Sequence, residues 1–502
     1  MAREKRFSKK EWSWIMYDWA NSVYATNIMA AIYPTIFAST VPGGDIRWGY
    51  GTSIATFIVA ILAPFLGAVA DYKGMKKKLF TLFALLGIVF TPLMAALGSW
   101  KLCLVGYVVS RIGFSGSCLF YDSFLTDVTT DERMDHVSSW GYAMGYIGGS
   151  TIPFVLSIAM LLFFDYNRFS QVFSVLIVSA WWALFSIPFF RNVKQEHYVE
   201  KTEPVSPARI FRNVIGTFKE ICLRRGLLFF VIAYFFYIDG VNTVISISTA
   251  YGSTLGLGST GMILALLVTQ IVAVPCSIWF AKLSARFSTR KALMGAVIMY
   301  VIICLVGFYM GFSMEPSQKA YETAIHAAAQ PYEAANPDKA EALESYVTRA
   351  GAALLRENPE TELKQLESEC AALELDGVAL SDALLNAWRE NTALAEEYNA
   401  CIHVSTILFW CMAVLVGTVQ GGIQAVSRSY FGKLVPKERS NEFFGFFDIF
   451  GKCACVIGPA LYAVIAEASG RSSYGIIGIA MLFFLGLVTL ILGRKDLDAL
   501  AK

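Results

Sequence analysis

The sequence predicts an all-α membrane protein with twelve transmembrane helices, arranged as two six-helix halves with a small helical insertion on the outer side. Three observations predict this fold: a strongly apolar composition, twelve apolar segments, and sequence features that recur between the halves. Of the 502 residues, 56% are hydrophobic and 16% are charged. A soluble globular chain carries roughly a quarter charged residues, so this much apolar surface requires surrounding lipid.

The twelve apolar segments divide the chain into two equal sets. A helix needs roughly 20 mainly apolar residues to cross the hydrocarbon core of a bilayer. The N-terminal half, 1–190, contains six such segments, at 12–40, 48–71, 79–98, 102–122, 138–164 and 170–190. After a basic linker at 191–225, the C-terminal half at 226–312 and 402–502 contains the others, at 226–252, 259–281, 292–312, 402–427, 443–467 and 474–493.

Basic residues are distributed unequally between the two sides of the predicted bundle. With the N-terminus inside, 29 of the 41 Lys and Arg residues face the cytosol, and the short outer loops keep Arg47, Lys101, Arg168 and Arg471. Because basic loops are retained on the cytosolic face, this asymmetry predicts a multi-pass protein of the cell membrane with both termini cytosolic. The net charge of +2 argues against nucleic-acid binding, which needs a concentrated basic face.

Two short sequence features recur between the predicted halves. Residues 127–133 (DVTTDER) resemble residues 433–439 (KLVPKER) at an offset of 306, and residues 67–76 resemble residues 281–290 at an offset of 214. The offsets differ by 92, so an insertion of about that size lies between helices nine and ten, where 313–401 is the only candidate. Parallel halves of this kind are the architecture of the major facilitator superfamily, whose substrate sites lie near the membrane midplane.

The insertion at 313–401 differs in composition from the rest of the chain. Residues 315–397 include 17 acidic and 6 basic residues, which suits the outer side. Three apolar stripes at helical spacing, in 343–354, 363–373 and 384–388, predict three short helices. A contact with a protein or ligand, substrate capture and the absence of any function are all open interpretations. Cys370 and Cys401 are the outer-side candidates for a disulfide.

Several motifs resemble known transporters. The loop with Gly67, Asp71 and Gly74 is similar to the signature loop between helices two and three of the major facilitator superfamily, although Tyr72 and Met75 replace its usual arginines. That resemblance implies a gating role, in which Asp71 helps to lock neighbouring helices in the outward-facing state. The segments 17–22 (YDWANS), 237–241 (YIDGV), 427–431 (SRSYF) and 443–452 (FFGFFDIFGK) resemble the vacuole-effluxer branch, which is related to autophagy-associated amino-acid effluxers of fungal vacuoles.

Polar residues inside the predicted membrane helices are candidates for the functional site, because a charge at membrane depth is costly. Asp18 and Asn21 in helix one share the spacing of Asp239 and Asn242 in helix seven. Each pair lies on one helical face, and helices one and seven are equivalent in a two-half repeat. Proton coupling or binding of a substrate ammonium is one interpretation; a buried hydrogen bond between helices is the other.

Further candidates lie in helices four, eight, ten and eleven. Asp448 and Lys452 have the i, i+4 spacing of an ion pair, which would bind substrate and proton only if it opened. Arg111 is placed to hold an anionic group or tune a carboxylate, or else to pair structurally with Asp122 or another acid. The amides Gln270 and Gln420 either line a cavity or join helices.

These observations predict a secondary transporter and argue against an enzyme. Its expected cargo is a small polar solute, an amino acid or peptide, moved by alternating access. A proton gradient is the expected driving force, with no cofactor and no metal site, since the histidines lack metal-ligand spacing. Small-molecule substrate and membrane lipids are the expected partners of a monomer. A transporter-like receptor that uses the insertion is the alternative, and a lipid or sugar transporter is a further one.

Overall fold

The computed structural model describes residues 6–41, 44–96, 99–149, 152–164, 167–200, 206–257, 259–356, 358–372 and 377–500. Within these ranges the chain is helical apart from short connections, and the single pairing of extended residues is a bridge between Tyr72 and Val199. Twelve long helices, α1 to α12, form two six-helix halves. The predicted all-α fold is therefore confirmed.

The N-terminal half contains α1 to α6. Helix α1 is built from three consecutive parts, the second of which is π-helical, and the described residues of α5 lie on either side of 150–151. The bounds are α1 Lys9–Tyr24, Ala25–Ala31 and Ile32–Thr40; α2 Gly44–Ala70; α3 Met75–Ala96; α4 Trp100–Ser123, followed by a turn at Leu125–Val128; α5 Asp131–Gly149 and Ile152–Phe163; and α6 Arg168–Asn192.

The C-terminal half follows a short amphipathic helix, Pro207–Leu223, which we call the linker helix. Its six long helices are α7 Arg225–Thr254, α8 Ser259–Phe287, α9 Thr289–Ala335, α10 Thr392–Leu434, α11 Ser440–Ser469 and α12 Ser472–Leu492, and a last helix spans Arg494–Leu500. Because the long helices alternate in direction, α1 begins and α12 ends at the same end of the bundle. We call this end the terminal side and the opposite end the insertion side.

Eleven of the described helices are long and apolar enough to cross a membrane, and α1 is not among them. Helix α1 packs inside the N-terminal half through polar and aromatic residues. It is therefore less apolar than the other long helices. Trp14, Tyr17 and Tyr24 are fully buried. The Tyr17 hydroxyl donates to Ser117 Oγ at 2.9 Å, and the Tyr24 hydroxyl lies 2.6 Å from Ser110 Oγ. These contacts join α1 to α4 in the membrane interior.

Helices α9 and α10 are longer than the apolar segments that predict them. Helix α9 runs on to Ala335 and α10 begins at Thr392, because apolarity marks contact with lipid rather than the end of a helix. Three short helices complete the insertion at Ala340–Ala353, Pro359–Ala372 and Gly377–Glu390, where the apolar stripes predict them. Cys401 is a free thiol 3.5 Å from Ser317 Oγ, and the side chain of Cys370 lies outside the described residues.

The insertion is attached to the bundle through the extension of α9. The Tyr321 hydroxyl donates to the Gly351 carbonyl at 2.9 Å, and the Tyr332 hydroxyl donates to the Ala379 carbonyl at 3.0 Å. Leu343, Tyr346 and Val347 of the first short helix are fully buried. The insertion is therefore a packed helical unit on the end of α9 and α10.

Candidate functional site

A cavity of about 190 Å³ lies between the two halves and contains charges of both signs. Helices α4 and α5 supply one wall, and α7, α10 and α11 supply the other. Its lining residues are Asp122, Tyr142, Tyr234, Ile238, Asn242, Gln424, Arg428, Phe447, Asp448, Gly451 and Lys452. Intramembrane charges that face a cavity between helices are candidates for a substrate or ion pathway.

Arg428 is the residue that connects the two walls of this central cavity. It belongs to α10 in the C-terminal half, yet its guanidinium reaches α1, α4 and α5 in the N-terminal half. Nη1 donates to Asp122 Oδ1 at 2.9 Å, Nη2 lies 3.4 Å from Asp18 Oδ2, and Nε donates to Ser138 Oγ at 3.0 Å. Only 3% of the Arg428 surface is exposed.

Aromatic rings enclose the same guanidinium. Its central carbon lies 4.5 Å from the ring centre of Tyr142, 4.7 Å from that of Trp14 and 5.3 Å from that of Tyr121. A guanidinium is attracted to the faces of aromatic rings and forms directed hydrogen bonds with carboxylates. Lysine would reproduce the charge of Arg428 but not these contacts.

The internal repeat explains why Arg428 meets Asp122. The two positions differ by 306, the offset that relates 127–133 to 433–439. Repeated halves place equivalent positions of α4 and α10 at the interface, where they face each other. Sequence reasoning missed Arg428 because the apolar segments end at 122 and 427, although α10 continues to Leu434. Applying the repeat offset to Asp122 would have found it.

Asp448 and Lys452 form the ion pair that their spacing predicts, and both line the central cavity. Their side chains remain 22% and 18% exposed, so a solute in the cavity can reach both charges. Asn242, from α7, lines the same cavity and donates to Cys455 Sγ at 3.2 Å. An anion, a cation and an amide therefore meet on the C-terminal wall.

Asp18 lies directly behind the central cavity, where the Tyr121 hydroxyl donates to its Oδ2 at 2.7 Å. Gly141 of α5 allows this packing, since a Cβ atom there would lie 2.7 Å from the same oxygen. Asn21, one turn further along α1, is buried in the N-terminal half with its amide 3.6 Å from Cys118 Sγ. Asp18 is thus near the cavity, whereas Asn21 is turned away from it.

Asp239 is fully buried between α7 and α11 and does not line the central cavity. Its Oδ1 accepts the Gly458 backbone N–H at 3.0 Å, and within the described residues its Oδ2 has no hydrogen-bond partner. The Gly458 contact is close, since a Cβ atom there would lie 2.9 Å from Asp239 Oδ1. This geometry favours the interpretation in which Asp239 forms a buried hydrogen bond between helices.

Three other candidates lie away from the central cavity. Arg111 Nη1 is 3.4 Å from the Tyr107 hydroxyl. The structural pair with Asp122 does not form, because the two positions are about 16 Å apart along α4, and Asp122 pairs with Arg428 instead. Gln270 and Gln420 line a second cavity of about 100 Å³ inside the C-terminal half, where most neighbours are apolar. The structure does not bring these residues together with Asp448 and Lys452.

The gating-loop residue Asp71 lies where α2 meets the start of α11. Its Oδ1 accepts the Asn441 backbone N–H at 2.9 Å and the Asn441 amide at 2.7 Å, and its Oδ2 accepts the Glu442 N–H at 3.1 Å. A carboxylate is favourable at a helix N-terminus, where backbone N–H groups lack partners. Burial nevertheless raises the pKa of Asp71 to about 7.

Two glycines shape this loop. A Cβ atom on Gly67 would lie 2.4 Å from the Asn441 carbonyl oxygen, so glycine at this position permits the close approach of α2 and α11. Gly74 has a φ of +73°, a left-handed conformation that glycine adopts without strain. The loop therefore needs glycine at both positions for steric reasons.

A hydrogen bond from Lys76 and an ion pair of Asp135 also join the halves on the terminal side. Lys76 is fully buried, with Nζ 2.6 Å from Asp127 Oδ2 and 3.3 Å from Ser440 Oγ across the interface. On the other edge, Asp135 Oδ1 lies 2.8 Å from Lys433 Nζ. The polar contacts between the described parts of the halves are concentrated here, so the structure is closed on the terminal side.

The amino-acid sequence matches the family described as vacuole effluxer Atg22 like over residues 48–323 and 405–496. YxiO, an uncharacterized MFS-type transporter of Bacillus subtilis (strain 168), is 38% identical over 502 residues, which cover 97% of this chain and 95% of YxiO. Autophagy-related protein 22-1 of Aspergillus niger is 20% identical, over 90% of this chain and 74% of the fungal protein.

Solved structures of transporters share the fold, among them the major facilitator superfamily transporter FucP. FucP in the outward conformation superposes with a TM-score of 0.58 at 12% identity, covering 97% of this chain and 98% of FucP. A bacterial homologue of the iron transporter ferroportin, in the outward-facing state, gives 0.53 at 11% identity over 98% of both chains. Together with the family match and YxiO, these similarities show that the chain belongs to the Atg22-like vacuole effluxer family of MFS-type membrane transporters.

Proposed function

We propose that this transporter moves a small zwitterionic solute, an amino acid or short peptide, by alternating access coupled to proton movement. The observation that carries the proposal is the central cavity, whose two walls come from different halves and present charges of both signs. Its volume of about 190 Å³ is smaller than the roughly 300–1,000 Å³ of pockets for drug-sized ligands. A small solute fits these dimensions.

Recognition of a zwitterion requires a cation, an anion and amides within a few ångströms of one another. In the cavity, Lys452 and Arg428 are the groups for a carboxylate, and Asp448 is the group for an ammonium. Asn242 and Gln424 supply neutral hydrogen bonds. Since Asp448 and Lys452 pair with each other inside the protein, a zwitterion that binds both replaces their ion pair with two new ones and leaves neither of these two charges unpaired.

Proton coupling follows from the charge balance around Arg428. The cluster contains the carboxylates of Asp18, Asp122 and Asp448 and the cations of Arg428 and Lys452. When all five are ionised, one negative charge is in excess, and an uncompensated charge at membrane depth is unfavourable. A zwitterion cannot compensate this excess charge, because a zwitterion adds no net charge. A proton shared by Asp18 and Asp122 compensates it.

Alternating access requires the terminal side to open. The contacts of Asp71, Lys76 and Asp135 between the halves must then break, and Arg428 must leave Asp18 and Asp122. Solute binding at Arg428 assists this step by replacing the carboxylates that hold it. We infer that the terminal side is cytosolic and the insertion lies outside the cell membrane, because basic residues are concentrated in the terminal-side loops.

A receptor remains the second candidate, and one observation favours it. A cleft of about 750 Å³ lies at the base of the insertion, between the α7–α8 turn, the extension of α9, the first short helix and the start of α10. Gln318, Glu322, His326 and Arg349 contribute polar groups to it. A cleft of this size falls in the range of ligand pockets.

The purified full chain in proteoliposomes separates the two candidates. We expect an amino acid or short peptide from a panel to exchange across the membrane, and to accumulate when a proton gradient is imposed. If no member of the panel crosses while one of them binds to the insertion, the transporter proposal is wrong and the receptor is favoured.

A further inference from the structure

The linker helix lies on the flank of the bundle, against one helix of each half. Phe211 stacks on Phe65 of α2 with ring centres 6.3 Å apart, and Phe218 packs on Phe446 of α11 at 5.9 Å. Glu220 forms an ion pair of 2.7 Å with Arg439, directly before α11. The helix therefore crosses the seam between α2 and α11, where Asp71 holds the terminal side closed.

The apolar surface of the linker helix is wider than the face that the bundle covers. Val214, Thr217 and Ile221 are buried against the protein. The neighbouring row consists of Phe211, Ile215 and Phe218, whose exposed fractions are 56%, 41% and 48%. These residues recur every three or four positions, so they form one continuous stripe. The stripe lies beside membrane helices and is suited to lipid.

Basic residues border the same stripe. Arg212 and Lys219 each follow a stripe phenylalanine by one position, which places them about 100° around the helix, on the adjacent exposed face. The surrounding segment, 191–225, contains 8 basic and 4 acidic residues. A helix with an apolar face and flanking Lys or Arg residues lies in the membrane interface, with its charges at headgroup depth.

We propose that the linker helix binds anionic phospholipid headgroups, and that this binding favours the state that is closed on the terminal side. Charge complementarity selects anionic over zwitterionic lipid, since the flanking residues are Arg212 and Lys219. Closure is favoured because the helix contacts α2 and α11 simultaneously only while these two helices are adjacent. Separation of the halves removes one of the two anchors and withdraws the helix from its lipid site.

The first test measures where the stripe lies. A nitroxide is attached at Ile215→Cys in a full-length chain that lacks its other cysteines, and reconstituted in phosphatidylcholine containing phosphatidylglycerol. We expect the label to collide more often with dissolved oxygen than with a water-soluble nickel chelate, and a label at Gly216→Cys to show the reverse. Equal accessibility to the nickel chelate at both positions would overturn the placement of the stripe in lipid.

The second test measures closure. Nitroxides at Lys78→Cys and Ala285→Cys, both exposed on the terminal side of different halves, report the distance between the halves. Adding phosphatidylglycerol to phosphatidylcholine vesicles should increase the closed population, by up to roughly fivefold in the closed-to-open ratio for each basic residue. The increase should shrink in high salt, because salt screens surface charges.

Matched double variants assign the lipid effect to the linker helix. Arg212→Gln with Lys219→Gln should abolish the response to phosphatidylglycerol. Lys282→Gln with Arg286→Gln removes the same charge from exposed positions at the end of α8. This double variant should keep the response to phosphatidylglycerol. An identical response in both double variants, or no response in the unmodified chain, would show the proposal to be wrong. The distance is measured without solute, so failure of the proposed transport activity would leave this result unaffected.

Discussion

Arg428 of α10 and Asp122 of α4 occupy equivalent positions of the internal repeat and pair with each other across the two halves, with 2.9 Å between Nη1 and Oδ1. One repeat unit supplies the cation and the other supplies the anion. Because Asp18 shares the same guanidinium, the pair also connects α1 to the C-terminal half. A contact that joins three helices at the central cavity changes whenever the halves move.

The first prediction concerns this pair. Arg428→Asp should lower solute flux by at least roughly tenfold, the factor that corresponds to about 1.4 kcal/mol, because carboxylates then face one another without a cation. Combining it with Asp122→Arg exchanges the charges between equivalent positions and should restore part of the flux, measured in proteoliposomes. Lys282→Asp, at an exposed position, is the control. Equal loss in the single and exchanged variants would argue against the pair as the functional contact.

The second prediction separates two intramembrane carboxylates. Asp239→Asn keeps an acceptor oxygen for the Gly458 N–H, so the hydrogen bond between α7 and α11 is retained. Proton-driven flux should therefore stay within about twofold, a change of roughly 0.4 kcal/mol. Asp122→Asn removes a charge from the central cluster and should uncouple flux from the proton gradient while exchange continues. Loss of coupling in Asp239→Asn alone would show that the proton binds at Asp239 on α7 and not in the central cluster.

The third prediction is a pH dependence of closure on the terminal side. Asp71 follows the end of α2, and in the closed state burial raises its pKa to about 7, whereas an exposed Asp has a pKa of about 3.9. Asp71 therefore binds a proton when the terminal side closes. The contribution of Asp71 to closure is fully present below about pH 4, decreases as the pH rises, and is lost above pH 7.

Distances between nitroxides on the two halves, measured from pH 4 to 8, test this dependence. The closed population should fall across that interval, and Asp71→Asn should reduce the change with pH. The hydrogen bond to the Asp127 carboxylate also raises the pKa of His197, but this contact joins the linker to the N-terminal half and does not cross to the C-terminal half. His197→Gln serves as the control, and a response that disappears only in this variant would assign the pH dependence to His197.

The fourth prediction concerns the insertion. The extensions of α9 and α10 contact each other through Tyr321 and Tyr398, whose ring centres are 5.6 Å apart. Helix α9 ends at Ala335 and α10 begins at Thr392, so residues 336–391 can be replaced by a glycine–serine connection without cutting either helix. Flux in proteoliposomes should persist in this variant, because the central cavity has no lining residue from the insertion. Complete loss of flux with preserved thermal stability would favour the receptor.

Sequence patterns predicted the twelve helices and the Asp448–Lys452 pair because both follow from local spacing. They did not predict Arg428, because its environment is created by helices α1, α4 and α5, which are distant in sequence. Asp239 and Asn242 share a helical face by spacing, yet only Asn242 lines the central cavity. Which side of a membrane helix faces a cavity depends on how its neighbours pack, and one helix alone does not contain that information.

Proton movement driven by solute at the central cavity is the most direct test of the proposed transport. Proteoliposomes that contain a pH-sensitive dye receive each amino acid or short peptide in turn, with the unmodified chain or with Arg428→Gln. We expect at least one of these solutes to change the internal pH with the unmodified chain, and the change to be absent with Arg428→Gln. No pH change with any of them, or an equal change in both proteins, would contradict it.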